Sequence, residues 1–495
     1  MACTSCSNRC LLCFQTLLSI LPLLLLPSPT CAQSAAASAP VTTAAPSQVP
    51  TSAQNPIYGS VPEAKPTTGA LSLTFRDAIG RALRQNLAGL LSEYNTIEAR
   101  GEKWQRLSAL LPDVNGGVQE VAQKESLEAL GFGKFPAGLF GNVRLPPVIG
   151  PFAYLDIRAS ATQRVFDWKA IQQYRAATRN EAVAKLSLKD ARDLVVLATG
   201  NAYLQAIAEA ARVETAQAQV ATAKALYDKA VAQQQAGVSP AIDTLRAQVQ
   251  YQTRQQQLIA ATNDFAKQKL SLARVIGLAS GQEFSLADKA PYEAFPIPDL
   301  ETSLQRAYSL RSDYKAAQSR LLAAQFESSA ALAGYYPSLD FEADYGQIGA
   351  VPSSVLPTYH VAGTLNIPIF QGGKVHGDVL RAEASLRQAQ AQLADLRGQI
   401  DQDVRNALFD LKSSADQVEV AQSSVNLAEQ ALTQSQDRFS AGVTDNLEVI
   451  QAQEAVAFAH ESLISSLYLH NLAKVSFARA IGRAEEGVLE YLQRK

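Results

Sequence analysis

Residues 236–250 read AGVSPAIDTLRAQVQ, and residues 441–455 read AGVTDNLEVIQAQEA. The second stretch lies 205 positions after the first, and the two align without a gap. The same offset relates a later pair of segments, Ala273–Gly277 and Ala478–Gly482. A match that keeps one long interval over separate segments indicates a duplicated structural unit.

Each copy of the unit shows the same order of sequence periodicities. A helix of about 35 residues comes first, over 72–110 and again over 299–335, and a proline ends each one. Apolar and polar residues then alternate, which predicts β-strands. We expect four strands, near 114–118, 155–161, 339–345 and 361–369. Strands of ~9–11 residues with this alternation are typical of membrane barrels, although a half-buried strand of a soluble sheet alternates in the same way.

Two much longer helices follow the predicted strands. No proline interrupts residues 171–235 or 377–440, so each stretch would extend roughly 95 Å as a helix. Gly237 and Gly442 end these helices, and a second helix of about 35 residues then returns in each copy. A glycine C-cap followed by a Ser or Thr N-cap predicts a helical hairpin at each tip.

The N-terminus has the features of a secretory signal. All five cysteines of the sequence lie in the first 31 residues, and a basic residue precedes the apolar run 11–26. A small residue, Ala32, lies at the expected cleavage point, so residues 1–32 are predicted to be removed. A zinc site on the CxxC pattern and an uncleaved anchor are the alternatives. Cys31 is also a candidate for lipidation, because a cysteine near such a junction can carry an anchor.

Composition argues against several classes of function. Charged residues make up 18% of the chain and the formal net charge is −2, so no nucleic-acid surface is indicated. No catalytic motif or phosphate-binding loop occurs, and the four histidines lack metal-ligand spacing. We therefore expect no catalytic, cofactor or metal site.

These features divide the chain into six parts. They are a signal peptide (1–32), a disordered Ala/Pro/Ser/Thr-rich segment or surface strap (33–69), a first repeat (70–280), a linker (281–297), a second repeat (298–484) and a C-terminal tail (485–495).

The predicted number of strands constrains how the chain could span a membrane. Four strands are too few to close a barrel, since even small barrels take ~8. An open sheet in lipid would leave its edge groups unpaired. Two chains would supply eight strands and three would supply twelve, and physical reasoning alone does not choose between them.

The chain resembles the TolC-type outer-membrane efflux family over residues 70–484. The resemblance rests on the duplicated order, both AGV(S/T) tips, the opening LSLTFRDAIGRALRQN at 71–86, and the strand-to-helix junctions 165–167 and 367–373. It implies a mixed α and β membrane fold, with four β-strands per chain in a twelve-stranded trimeric β-barrel and a long periplasmic α-helical barrel of coiled-coil hairpins. It also implies a homotrimer in the outer membrane of a diderm bacterium, contacting outer-membrane lipid. A periplasmic adaptor would link this exit duct to an inner-membrane pump.

The resemblance also suggests where the duct is gated. Acidic residues early in the returning helix narrow the periplasmic entrance in the family, and Glu448 and Gln451 occupy those positions here. Asp243 matches an aspartate that joins a latch to a tyrosine and an arginine, but those two positions hold Phe439 and Thr444. The usual latch is therefore impossible. Acids at a helix N-terminus, favoured by the helix dipole, are the plain alternative for Asp243 and Glu448.

The hairpin tips are the expected contacts of the adaptor. The candidate residues are Gly237, Val238, Ser239, Gly442, Val443 and Thr444. Residues 124–151 and 346–357 are expected to form extracellular loops. A periplasmic coiled-coil structural or adaptor protein without a barrel is the alternative function. Drugs, metal ions and secreted proteins all remain open as cargo.

Overall fold

The computed structural model describes residues 55–62, 69–131, 146–288, 293–351, 353–444 and 446–492. The helices of this part are α1 (Phe75–Gln85), α2 (Leu87–Ser108), α3 (Trp168–Gln235), α4 (Ala241–Ile276), α5 (Leu300–Leu310), α6 (Ser312–Leu332), α7 (Lys374–Ser440), α8 (Asn446–Ala480) and α9 (Ala484–Leu492). The strands are β1 (Leu71–Leu73), β2 (Asp113–Ser126), β3 (Val148–Phe166), β4 (Phe284–Leu286), β5 (Ser338–Gly349) and β6 (Leu356–Asn366).

The first predicted helix of each repeat is two helices, so the prediction of one continuous helix is wrong in both halves. Asn86 breaks the first and Arg311 the second, each with a ψ angle outside the helical range (135° and 125°). The Asn86 side chain accepts from the main-chain N–H of Ala88 at 2.9 Å and donates to the carbonyl of Ile57 at 2.6 Å. The first hydrogen bond satisfies a main-chain N–H that an uninterrupted helix would have paired internally, and the second attaches the break to residues 55–62.

The four long strands form one antiparallel sheet in the order β2-β3-β5-β6. Neighbouring side chains on one face are apolar, as where Tyr345 lies between Ala159 and Tyr359. On the other face, Asp344 lies between Ser160 and His360. The alternation of the sequence has therefore become a sheet with one apolar and one polar side.

The strands extend further into the expected extracellular loops than the sequence suggested. β2 continues to Ser126, and β3 already begins at Val148. The smaller expected loop, 346–357, overlaps both β5 and β6, which pair up to Ile348 and Leu356. Backbone pairing extends each hairpin past the point at which apolar alternation becomes weak.

The two long hairpins confirm the predicted coiled-coil plan. α3 packs along α4, and α7 packs along α8. In α7 the buried residues Ile400, Val404, Leu411, Val418 and Val425 follow steps of four and seven. This spacing is typical of a coiled-coil seam.

A small parallel sheet, which the sequence did not predict, joins the start of the first repeat to the segment after it. Leu71–Leu73 of β1 pair with Phe284–Leu286 of β4. The adjoining core contains Leu73, Phe75 and Tyr203, together with Ala484 and Val488 of α9. Residues from both ends of the described chain therefore share one hydrophobic core.

One described helix, α3, is long and apolar enough by composition to cross a membrane. Of its most apolar 18-residue window, 61% is buried within the protein. Val195, Val196 and Tyr203 of this helix are almost fully buried in the core described above. We therefore interpret α3 as a core helix.

Several predictions concern residues outside the described ones. The signal peptide (1–32), Cys31 and most of segment 33–69 lie there. Residues 55–62 of that segment are described, and they lie against the break between α1 and α2. The Val61 N–H donates to the carbonyl of Gln85 at 2.9 Å, and the Leu87 N–H donates to that of Gly59 at 3.0 Å.

Candidate functional site

Each hairpin turns on a glycine in the left-handed conformation. Gly237 has φ 73° and Gly442 has φ 71°. In both turns the N–H of the following valine donates back to a carbonyl of the last helical turn, at 3.0 Å. Those valines, Val238 and Val443, are 77% and 70% exposed. The two tips therefore present the same shape, with an exposed apolar side chain at the end of each hairpin.

In the first hairpin the hydroxyl group after Val238 does not cap the returning helix, contrary to the prediction. α4 begins after Pro240, and no side chain caps its N-terminus. The Ser239 hydroxyl instead donates to the Asp243 carboxylate at 3.0 Å, and Thr444 donates to Glu448 in the matching way. Each hydroxyl thus orients an acidic side chain four residues ahead.

The structure places the candidate gate residues in different surroundings. Asp243 is buried, and Arg246 lies 3.7 Å from its carboxylate. The Glu448 side chain is 35% exposed, and Arg438 of α7 lies 3.6 Å from its carboxylate. Gln451 is exposed on the same helix as Glu448. Glu448 and Gln451 are therefore open to solvent near the tip, whereas Asp243 faces protein.

Two contacts that the sequence did not predict join the hairpins at their tips. The buried Asn446 amide donates to the main-chain carbonyl of Asp243 at 3.3 Å. The Lys229 ammonium of α3 lies 5.3 Å from the ring centroid of Phe439 on α7. A cation over an aromatic face is attractive and needs no hydroxyl group. Phe439 therefore helps to join the two hairpins, although it lacks the hydroxyl group that the usual latch requires.

A charged cluster lies on the polar face of the four-stranded sheet. Arg158 of β3 forms an ion pair with Asp344 of β5, and Asp156 lies 3.4 Å from the same guanidinium. His360 of β6 lies 3.7 Å from Asp344. The cluster links three strands. Because its side chains are charged or polar, this face of the sheet is the one suited to contact with water.

A second group of buried polar side chains lies on α8, far from the tip. His470 and Lys474 are each 1% exposed, and both contact the main-chain carbonyl of Glu293, at 3.3 and 2.7 Å. Ser414 of α7 lies 3.3 Å from the other His470 ring nitrogen. Burial and the nearby Lys474 charge hold the pKa of His470 below its usual value. These contacts fix the segment before α5 against the second hairpin.

Comparison with known proteins places these features in a family. A family model described as outer membrane efflux protein matches residues 106–278 and 303–483. The probable efflux pump outer membrane protein SepC of Pseudomonas putida is 24% identical over 426 residues, covering 82% of each chain. The outer membrane protein TolC of Escherichia coli is 23% identical, covering 66% of this chain and 69% of its own. The alkaline protease secretion protein AprF of Pseudomonas aeruginosa is also 23% identical, over 67% of this chain and 70% of its own.

Solved structures show the same fold. The CmeC outer membrane channel of Campylobacter jejuni superposes with a TM-score of 0.72 at 16% identity, covering 87% of this chain and 92% of its own. The outer membrane protein VceC of Vibrio cholerae gives 0.69 at 19% identity, covering 82% and 96%. The predicted mixed α and β fold of TolC type is confirmed.

Proposed function

The chain belongs to the outer membrane efflux protein family, and from this premise we propose that three copies form an exit duct whose periplasmic end is gated by its hairpin tips. Family membership supports the outer-membrane channel over the soluble coiled-coil alternative. The trimer, the gate residues and the adaptor are the proposed parts. The duct is expected to conduct its cargo without catalysis.

The unpaired edges of the sheet support closure by several copies. Within the described chain, β2 pairs only with β3, and β6 pairs only with β5. In lipid each unpaired N–H or C=O group would cost several kcal/mol, so the edges require partner strands. Pairing β2 of one copy with β6 of the next satisfies both edges at once. Three copies supply the twelve strands that the resemblance to TolC implies.

An exposed apolar stripe on α7 supports the same assembly in the helical part. Phe409, Val420 and Leu427 are large, exposed and spaced by eleven and seven residues, which places them on one face of the helix. This face lies away from the buried seam shared with α8. Contact between neighbouring copies would remove these side chains from water, at about 25 cal/mol per Å² of apolar surface.

The proposed gate lies at the tip of the second hairpin. Glu448 is held by Thr444 and Arg438 and remains partly exposed, and in a trimer it would contribute three carboxylates around the axis. Such a ring attracts cations and resists close approach of its members. Gln451 would add a neutral polar ring beside it. Asp243 is assigned a structural part in the gate, because it is buried against the opposite tip.

The tips are also the proposed docking surface for a periplasmic adaptor, which would connect the duct to an inner-membrane pump. The exposed side chains of Val238 and Val443 give each chain two similar apolar contact points. Beside them, Ser239 and Thr444 form hydrogen bonds to Asp243 and Glu448. The relatives are named for different cargoes, toluene efflux in one and alkaline protease secretion in another. Cargo is therefore assigned to the pump, and the duct is proposed to serve either class.

Membrane fractionation and planar-bilayer recording test the conduit. We expect recovery in the outer membrane as a heat-modifiable trimer, with stepwise conductance after reconstitution. Recovery as a soluble periplasmic monomer, or a pure trimer without conductance, would contradict the proposal.

A further inference from the structure

A cleft of about 400 Å³ lies between the two long hairpins, along their helices and away from the tips. All four long helices line it. Leu432, Val456 and Ala218 give it an apolar wall. Arg254 of α4 and Gln453 of α8 reach it from opposite hairpins. The cleft is within the range of volumes that hold small molecules in proteins.

Arg254 is a buried cation that forms no ion pair with a carboxylate of the described residues. Its side chain belongs to a residue that is 7% exposed. Amide oxygens surround it instead, with Gln257 at 2.8 Å and Gln219 at 3.4 Å from Nη1. Gln250 adds its own oxygen at 3.0 and 3.2 Å when its amide carbonyl is turned toward the guanidinium. These neutral groups satisfy most of the N–H donors but leave the charge unbalanced.

No carboxylate of the described residues forms an ion pair with this guanidinium, although the charge of Glu454 acts on it from further away. Burial lowers the pKa of Arg254, but an arginine remains protonated in proteins. A buried charge of this kind is normally paired, and an anion is the group that would pair it.

Gln453 supplies an independent indication of a missing ligand. The residue is 8% exposed, and its Nε2 atom is buried without a hydrogen-bond partner among the described residues. An unsatisfied buried donor is unfavourable, so an acceptor in the cleft would stabilise this side chain. Arg254 and Gln453 together present positive charge and free N–H groups to the same space.

We propose that this cleft binds a small monocarboxylate with an apolar body. The carboxylate would lie between Arg254 and Gln453, and the apolar part would lie against Leu432 and Val456. Glu214 and Glu429 at the mouth oppose a second negative charge, which favours a monoanion over a dicarboxylate or a phosphate. His460 lies 3.2 Å from Glu429 at the rim.

Calorimetric titration of the purified trimer in detergent tests the site with two matched probes. These are 4-phenylbutyrate and its neutral analogue 4-phenylbutan-1-ol. We expect the acid to bind about ten-fold more tightly than the alcohol, because a charge-assisted hydrogen bond to a buried guanidinium favours the anion. Equal affinities, or binding of neither probe at millimolar concentration, would overturn the site.

Substitutions then locate the binding group. Arg254→Gln should abolish the preference for the acid, and Gln453→Leu should reduce it while removing an unsatisfied donor that the fold does not need. Arg405→Gln is the control, because that arginine is exposed and paired with Asp401 on α7. A preference that survives in Arg254→Gln would overturn the assignment. Binding is read on the purified trimer, so failure here leaves the conductance test of the conduit unaffected.

Discussion

Asn446, the first residue of α8, donates its side-chain amide to the main-chain carbonyl of Asp243 in α4, 3.3 Å away. The hydrogen bond joins the first turn of one returning helix to that of the other. Asn446 has no exposed surface. The two hairpins of a chain are therefore attached at the end where the duct is proposed to open.

Replacement of this amide should favour the open state. Asn446→Ala removes the hydrogen bond, which is worth about 1 kcal/mol, or roughly a five-fold change in the closed-to-open ratio. We expect a higher open probability in planar bilayers. Asn406→Ala, on an exposed part of α7, is the control and should behave as wild type. An unchanged open probability in Asn446→Ala would remove this contact from the gate.

The contact between Lys229 and Phe439 should act in the same direction. An exposed cation–π pair contributes about 0.5–1 kcal/mol, so Lys229→Met should raise open probability by roughly two- to five-fold. Phe439→Leu should give a similar effect, and the double variant should add nothing further. Additive effects of the two substitutions would show that the side chains act separately. Lys224→Met, on an exposed part of α3, is the control.

The ring proposed for Glu448 predicts a change in ion preference. Glu448→Gln keeps the size of the side chain and removes three negative charges from the assembled entrance. We expect weaker preference for K⁺ over Cl⁻ and greater conductance, both measured by reversal potential and current in a salt gradient. Glu419→Gln removes an exposed charge on α7 and should change neither quantity. An unaltered reversal potential in Glu448→Gln would exclude the ring.

Gly277, which follows α4, has the left-handed backbone conformation (φ 72°). Gly237, at the tip of the first hairpin, has the same conformation (φ 73°). A Cβ at Gly277 would lie 2.7 Å from the Cβ of Gln85, whereas one at Gly237 would meet nothing within 4 Å. Gly237→Ala should therefore cost only about 1 kcal/mol for the backbone, and Gly277→Ala about 2–4 kcal/mol because of overpacking. Urea unfolding followed by circular dichroism measures both. Equal losses would contradict the described packing.

The buried His470 predicts a specific pH dependence of stability. Its pKa is lowered in the folded protein from an ordinary value of 6.5, so the unfolded chain takes up the proton more readily. Stability should fall as the pH drops below about 6.5 and level off below the folded pKa. Urea midpoints at pH 7.5 and 5.5 measure the effect. His470→Gln should flatten this dependence, and the exposed control His376→Gln should preserve it.

The sequence predicted those parts of the fold that depend on long, regular patterns. The heptad spacing from Ile400 to Val425, the AGV tips and the alternating strands all have periods that a single sequence displays. It could not predict the breaks at Asn86 and Arg311. Each depends on tertiary contacts, such as the hydrogen bond from Asn86 to Ile57, that no local pattern reveals. The three-residue strands β1 and β4 are too short to show any period.

The candidate site was predictable only in part for a similar reason. The repeat placed Asp243 and Glu448 in equivalent positions, and the structure shows equivalent hydroxyl partners for both. The cross-hairpin partners Lys229 and Asn446 are not repeated, since the matching positions hold Gln434 and Ala241. This difference between the two repeats was the feature of the sequence that could have indicated a role for Lys229 and Asn446. Arg254 resembles an ordinary surface arginine until its burial is known.

The shared core of the chain's two ends has a consequence for biogenesis. A polypeptide crosses the inner membrane with its N-terminus first, so Leu73 and Phe75 arrive in the periplasm long before Ala484 and Val488. The core around Tyr203 stays incomplete until those last residues arrive. A prematurely terminated chain would expose this apolar surface to chaperones and proteases. We therefore expect chains that end before Ala484 to leave this core open and to be removed before they assemble.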